Sequence, residues 1–486
     1  MVQVDARDVQ IAQLEKRLEA ALARIAQLEE ENERLREENR RLEERLGLNS
    51  SNSSKPPSAD APGTPRQPKK PTGRRPGGQP GHQKHERALL PPEQVRHVVE
   101  LVPEECRGCK RRLKGRDSTP RRHQVVEVPP LSALVTEYRS HALPCPDCGE
   151  VTRGEVPVHA RSAFGDRLTA LASLMVGKYR LSKRLVKDAL SDMLGVELSL
   201  GSVSNLEGEM ADALAPATDE ALAYVQASEA ASADETGFTQ GRKGGRAARV
   251  WLWMVATTLV VVFHIAPSRG GKVARHLLGE DFAGLLTTDR WSAYEWVDAG
   301  LRQLCWAHLT RDFQGFIDRG GEGGRIGQKL MHEHDCLFEW YHRVRDGTLA
   351  REEFENRMRG VEREVGQLLR EAVVRAEKKT AGMAREILQW EKCLWTFVDV
   401  PGLEPTNNFG ERCIRRAVMY RKTSFGTQSE KGSRFVERIF TATTTLKQQG
   451  RDVLAFLTDA LTAHRRGLLG PSLLPTAPGP QLALTA

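Results

Sequence analysis

A seven-residue repeat governs the first 48 positions. Ile11, Leu18, Ile25, Asn32, Asn39 and Leu46 share one heptad position, and Leu14, Ala21, Leu28, Leu35 and Leu42 share the position three residues on. That spacing draws one apolar seam along a helix, and a seam of this length needs a partner, so residues 1–48 read as a coiled coil (leucine zipper) joining two copies of the chain into a homodimer. Asn at two seam positions favours a parallel two-stranded pairing. Arg24 with Glu29 and Glu31 with Arg36 supply attractive contacts between the helices.

The composition then switches. Residues 49–90 are rich in Ser, Asn, Pro and Gly and cannot bury a core, so they read as a mobile linker. Lys69, Lys70, Arg74 and Arg75 make it an electrostatic tether for a phosphate backbone. The whole chain of 486 residues carries a net charge of +8, which points the same way. No run of about 18 apolar residues could span a bilayer, so a cytoplasmic, nucleoid-associated protein is expected.

Within residues 91–155, Cys106-Arg-Gly-Cys109 and Cys145-Pro-Asp-Cys148-Gly form two CxxC knuckles. Two such thiolate pairs can close a tetrahedral four-cysteine site for one structural Zn²⁺. Between them, residues 124–128 and 133–138 alternate as strands do, so the expectation is a zinc ribbon with an extended hairpin. Residues 156–227 read as helical, with Leu168, Leu171, Met175, Leu185, Ala189 and Met193 on a buried face and Ser202 as an N-cap after a break. A helix-turn-helix and ordinary helix packing both fit this stretch.

Residues 228–319 turn to strands: a hairpin over 249–256 and 259–266, then 283–288 and 303–307, with helices after Gly271 and His308. Asp289 closes an apolar run, where a strand-end carboxylate leaves the sheet. Residues 320–400 are helical, with Phe354, Met358, Val361, Val365 and Leu368 at 3-4 spacing. Residues 401–463 return to the core, and Glu411 there sits on a helix that also carries Arg412 and Arg415. Asp234, Asp289 and Glu411 are three hard oxygen donors suited to a pair of Mg²⁺ ions. Residues 464–486 read as a flexible tail. Cys305, Cys393 and Cys413 read as inert packing residues.

The order of these parts is telling. The zipper, Ser-Ser-Lys-Pro-Pro-Ser, Gly-Gly-Gln-Pro-Gly-His, the two knuckles, Ala-Asp-Glu-Thr-Gly, Thr-Asp-Arg-Trp-Ser-Ala-Tyr, Cys-Trp-Ala-His-Leu-Thr-Arg-Asp-Phe and Thr-Asn-Asn-Phe-Gly-Glu-Arg together closely resemble the IS sixty-six family of bacterial insertion-sequence transposases. The resemblance implies a multidomain α+β and α/β chain with a ribonuclease-H-like catalytic core, interrupted by the helical insertion. It implies a DDE triad of Asp234, Asp289 and Glu411 holding two Mg²⁺ (or Mn²⁺) ions for DNA cleavage and strand transfer. His308 and Arg311 would lie near the scissile phosphate, Asn407 and Asn408 would orient the helix of Glu411, and Arg412, Arg415, Arg421 and Lys422 would neutralise phosphates. The implied partners are double-stranded DNA, as terminal inverted repeats and target, and accessory proteins of the element. The alternative from another class is a catalytically silent zinc-containing DNA-binding or regulatory protein.

Overall fold

The computed structural model describes residues 22–25, 27–39, 87–243 and 245–474. Most of the heptad seam, the basic linker up to residue 86 with Lys69, Lys70, Arg74 and Arg75, and residues 475–486 lie outside them. Residues 22–25 and 27–39 are helical, and Leu22, Ile25, Leu28 and Leu35 are exposed along that helix.

The knuckle region has little regular structure. Strand β1 (Ala142–Pro144) pairs antiparallel with β2 (Val151–Arg153) around the second knuckle, and a single Glu105–Arg112 bridge closes the first. The strands expected at 124–128 and 133–138 do not form. Alternation makes a strand only where a neighbour accepts the ladder, and this segment has none: Leu134 and Val135 are 98% and 91% exposed. Gln124 instead bonds the backbone of Leu90 from both ends of its amide.

Three helices follow: α1 (Asp166–Gly177), α2 (Lys183–Leu194) and α3 (Leu200–Gln226). The N-cap of α3 is Ser199, not Ser202; the Ser199 hydroxyl accepts the Ser202 N–H. Leu185 and Met193, expected inside, are exposed, and Val186 and Leu190 are the buried pair of α2. The periodicity was right and its phase was one residue off, because an apolar face can be drawn either side of a short helix.

The central sheet has five strands: β3 (Ala230–Lys243), β4 (Arg246–Ala256), β5 (Val261–Ala266), β6 (Leu285–Thr288) and β7 (Arg302–Leu304), in the order β5-β4-β3-β6-β7. β4 is antiparallel to both neighbours, and β6 and β7 run parallel to β3. Helix α4 (Gly271–Leu278) lies between β5 and β6. After β7 come α5 (Trp306–Arg319), α6 (Gly321–Arg345), α7 (Arg351–Arg375) and α8 (Lys378–Gln389), then α9 (Asn408–Ser424), α10 (Glu430–Gln448) and α11 (Val453–Arg466). Phe354, Met358, Val361, Val365 and Leu368 are all buried, as their spacing requires.

Two apolar cores result. One joins α1–α3 to the sheet and to α9–α11; the other joins α5 to α6–α8. Arg465 of α11 clamps the first by reaching Asp166 of α1 and Glu209 of α3, each at 2.7 Å. The tail begins packed, not frayed: Leu473 is fully buried and its carbonyl accepts the Gln449 side chain.

The edge strand β5 is covered by α10. The N–H groups of Val261, Phe263 and Ile265 donate to Thr445 Oγ1, Thr441 Oγ1 and Glu437 Oε1. Four helical residues rise about 6 Å and two strand residues about 6.6 Å, so acceptors at every fourth position of α10 keep step with every second amide of β5.

Candidate active site

β3 and β6 bring the first two acids to one level. Ser232 is paired with Thr287 in the parallel register, so Asp234, within β3, and Asp289, just past the end of β6, lie at the same level on adjacent strands. Successive residues of a strand point to opposite faces, so Asp234 and Glu235 part company. Glu235 is 7% exposed and fully used: Arg269 Nη2 lies 2.6 Å from its Oε1, and the Tyr294 hydroxyl donates to its Oε2 at 2.7 Å. Asp234 is only half-buried, and its Oδ1 accepts the N–H of Glu235 at 2.8 Å.

The third acid arrives on α9. Asn407 precedes that helix but does not cap it. Its Nδ2 donates to the Ala233 carbonyl at 2.9 Å, its own N–H donates to Cys305 Sγ at 3.1 Å, and its carbonyl accepts the Glu411 N–H. Gly410 is required beside it, because a Cβ there would run into the Asn407 amide. Asn407 therefore places Glu411, whereas Asn408 is exposed at the helix start.

Electrostatics show the acids acting on one another. Loss of water raises the Asp234 carboxyl well above the usual carboxylate range, and Glu235, Asp289 and Glu411 raise it further. Burial also raises Glu411, opposed by Arg311. No Lys or Arg forms a salt bridge with Asp234 among the described residues. The protein's own cations lie around the other acids: Arg269 beside Glu235 and Asp289, and Arg311 near Glu411. His308 Nδ1 stands 3.7 Å from Glu411 Oε1, and burial and Arg311 push this imidazole down to about 4, so it is neutral at pH 7.

Asp289 is held from two sides. The Trp291 N–H donates to its Oδ1 at 2.9 Å, and Arg269 Nη2 lies 4.0 Å from its Oδ2. Arg269 is itself fixed between two indoles, 3.8 Å from the Trp291 ring and 4.8 Å from that of Trp251. Arg269 does not stand out in the sequence, and Tyr294, though it closes the Thr-Asp-Arg-Trp-Ser-Ala-Tyr motif, reveals its role only through its partner Glu235 on another element.

The oxygens of Asp234, Asp289 and Glu411 do not all fall within 4.8 Å of one another; among the described residues that closeness belongs to Cys305, His308 and Glu411. Cys305, expected to be inert packing, is thus part of the site, and burial pushes its thiol up to about 12.

The expected phosphate contacts divide. Arg412 and Arg415 are exposed on α9 and Lys422 is half-buried, but Arg421 turns inward to Thr236 Oγ1 at 3.1 Å and to the Gly237 carbonyl. At the knuckles, the backbone N–H groups of Cys109 and Gly108 hold the Cys106 thiol below its usual range, and those of Cys148 and Asp147 do the same for Cys145. Each knuckle is formed, yet its sulfurs are not gathered with those of the other within 4.8 Å. No helix among the described residues is long and apolar enough to cross a membrane.

Comparison with known proteins places the chain in a family. Residues 3–88 match a family of unknown function (DUF6444). Two similar proteins of Sinorhizobium fredii (strain NBRC 101917 / NGR234) are uncharacterized: y4qI is 27% identical over 77% of this chain and 73% of its own length, and y4hP is 23% identical over 73% and 69%. Residues 162–434, which contain all three acids, match the model described as Transposase IS66 family. The chain belongs to the IS66 transposase family.

Proposed function

We propose that the protein is a DNA transposase that binds the ends of an insertion sequence and catalyses cleavage and strand transfer through Asp234, Asp289 and Glu411. The observation that carries the reading is the approach of three acids from adjacent parallel strands, one within β3 and one just past β6, and from the start of a helix, with no Lys or Arg paired to Asp234 among the described residues. The strand order, with one antiparallel strand among parallel ones, supports a ribonuclease-H-like core for 228–319 and 401–463, interrupted at 320–400.

Two Mg²⁺ ions suit this donor set. Two ions need not draw all three carboxylates to one point, in keeping with oxygens that do not all fall within 4.8 Å of one another. Asp234, whose carboxyl is raised by both Asp289 and Glu411, would hold the ions together with those two acids. Bound Mg²⁺ supplies activation of the attacking oxygen and neutralises charge on the phosphate. The protein's part is placement: Asn407 holds Glu411, Arg269 and Trp291 hold Asp289, and Arg311 offers a cation to the phosphate. Arg412, Arg415 and Lys422, with the basic linker, would follow the DNA backbone. The knuckles would carry one structural Zn²⁺, and the zipper would pair two copies.

The test is a gel shift run beside Mg²⁺-dependent cleavage of element-end DNA. Asp234→Asn, Asp289→Asn and Glu411→Gln should each lower cleavage by orders of magnitude and keep DNA binding, while Glu404→Gln, at the acid seven residues upstream of Glu411 that could be mistaken for the third ligand, keeps both. A triad variant that cleaves normally refutes the assignment. A parent protein that binds but never cuts favours the silent regulatory protein.

A further inference from the structure

The sulfur of Cys305 has no part in the mechanism above, yet its surroundings are those of a ligand. Cys305 Sγ, an imidazole nitrogen of His308 and a carboxylate oxygen of Glu411 all lie within 4.8 Å of one another, and the His308–Glu411 pair is 3.7 Å apart. Around a tetrahedral ion with bonds of about 2.0–2.3 Å, ligand atoms are separated by about 3.3–3.6 Å. Closing the set requires the donor atoms to shift by about an ångström at most.

Two further observations point to a missing partner. His308 Nδ1 is buried without a hydrogen bond, although buried polar atoms are almost always paired. Cys305 Sγ, on a residue 1% exposed, accepts the Asn407 N–H at 3.1 Å. An amide donated to sulfur is the kind of outer support that metal-bound thiolates commonly have.

We propose that Cys305, His308 and Glu411 form a site for a borderline divalent metal ion of the Zn²⁺ or Co²⁺ kind, overlapping the Mg²⁺ centre at Glu411. Sulfur and imidazole select such an ion over Mg²⁺, which takes oxygen ligands. On binding, the thiol gives its proton to solvent, and the fourth position stays open. Because both metals call on Glu411, a zinc-class ion withdraws that carboxylate from Mg²⁺ and holds the cutting centre off. That consequence rests on the transposase reading; the site itself rests on its donors.

The test uses the full-length protein, stripped of metal and titrated with Co²⁺, whose bond to a thiolate gives a charge-transfer absorption. Subtracting the spectrum of Cys305→Ser removes the contribution of every other cysteine, both knuckles included. Cys305→Ser should bind one Co²⁺ fewer per chain than the parent, and His308→Gln should weaken that equivalent by about tenfold or more. Identical spectra and stoichiometry in parent and both variants overturn the proposal. Should circular dichroism show Cys305→Ser to be unfolded, His308→Gln, which keeps the buried thiol, decides alone. Asp234→Asn is run alongside and should keep the Cys305 signal while losing Mg²⁺-dependent cleavage. A parent that shows the cobalt signal yet never cleaves element-end DNA leaves the site standing and refutes the transposase reading.

Discussion

The side-chain amide of Asn407 donates to the carbonyl of Ala233 at 2.9 Å, so the residue before the first acid carries the anchor of the third. The two positions are 174 residues apart in the chain. Asn407→Ala is expected to cost about 1–3 kcal/mol, since it leaves a buried carbonyl unpaired, and to lower cleavage by more than the folded fraction falls. Gly410→Ala should do similar damage, about 1–3 kcal/mol, by crowding the same amide. Denaturant unfolding beside cleavage rates measures both, and a Gly410→Ala protein equal to the parent would show that α9 is not held this way.

Asp234 makes the metal-free protein sensitive to alkali. Its carboxyl titrates well above the ordinary range in the folded state, so folding takes up a proton that the unfolded chain has released. Stability from this group is complete below the unfolded value near 3.9 and is lost as pH rises through the folded value. Asp234→Asn should therefore unfold at a higher temperature than the parent in chelator at neutral pH. Mg²⁺ should raise the parent's unfolding temperature and leave the variant's little changed. A variant that melts lower in chelator contradicts this.

Arg412 and Arg415 face solvent, whereas Arg421 is spent on β3. Removing the first two should weaken binding to all DNA sequences alike and reduce the salt dependence by about one unit per charge. Arg421→Gln should instead lower stability and leave the salt slope alone. Binding isotherms at several salt concentrations separate the two outcomes.

Glu235 neighbours Asp234 yet does different work. Glu235→Gln strips the charge that pairs with Arg269 and is expected to cost about 3 kcal/mol or more, as breaking a buried pair does. Its Mg²⁺ midpoint for cleavage should stay near the parent's, while that of Asp289→Asn should move by well over tenfold. Equal Mg²⁺ shifts in the two variants would make Glu235 a metal ligand.

Leu28 and Leu35 are bare along the N-terminal helix. Leu28→Lys with Leu35→Lys should turn a dimer into a monomer in sedimentation at micromolar concentration. An unmodified protein that sediments as a monomer removes the zipper from the proposal.

The sequence was legible where a local pattern sufficed. The strand before Asp289 ends in an acid, the inserted helices repeat at 3-4 spacing, and Glu411 opens a helix rich in arginine. It was misleading where a pattern lacked its neighbour: Leu134 and Val135 alternate as in a strand but have no ladder to join. It was silent where function depends on side chains meeting across the fold. Nothing near Cys305 announces that Asn407 will bond its sulfur, and nothing near Arg269 announces two indoles and Glu235.

The bond row between β5 and α10 bears on how copies of such a gene decay. A frameshift or stop before Glu430 removes Thr445, Thr441 and Glu437 and leaves an apolar strand edge with free amides. Bare edges recruit other strands, so the shortened product is directed to aggregation and proteolysis before it can compete for DNA. Truncation at the 3′ end of the gene is thus expected to eliminate the protein altogether, whereas, on the proposed reading, a point change at Asp234, Asp289 or Glu411 would leave an intact, inert competitor for the same DNA ends.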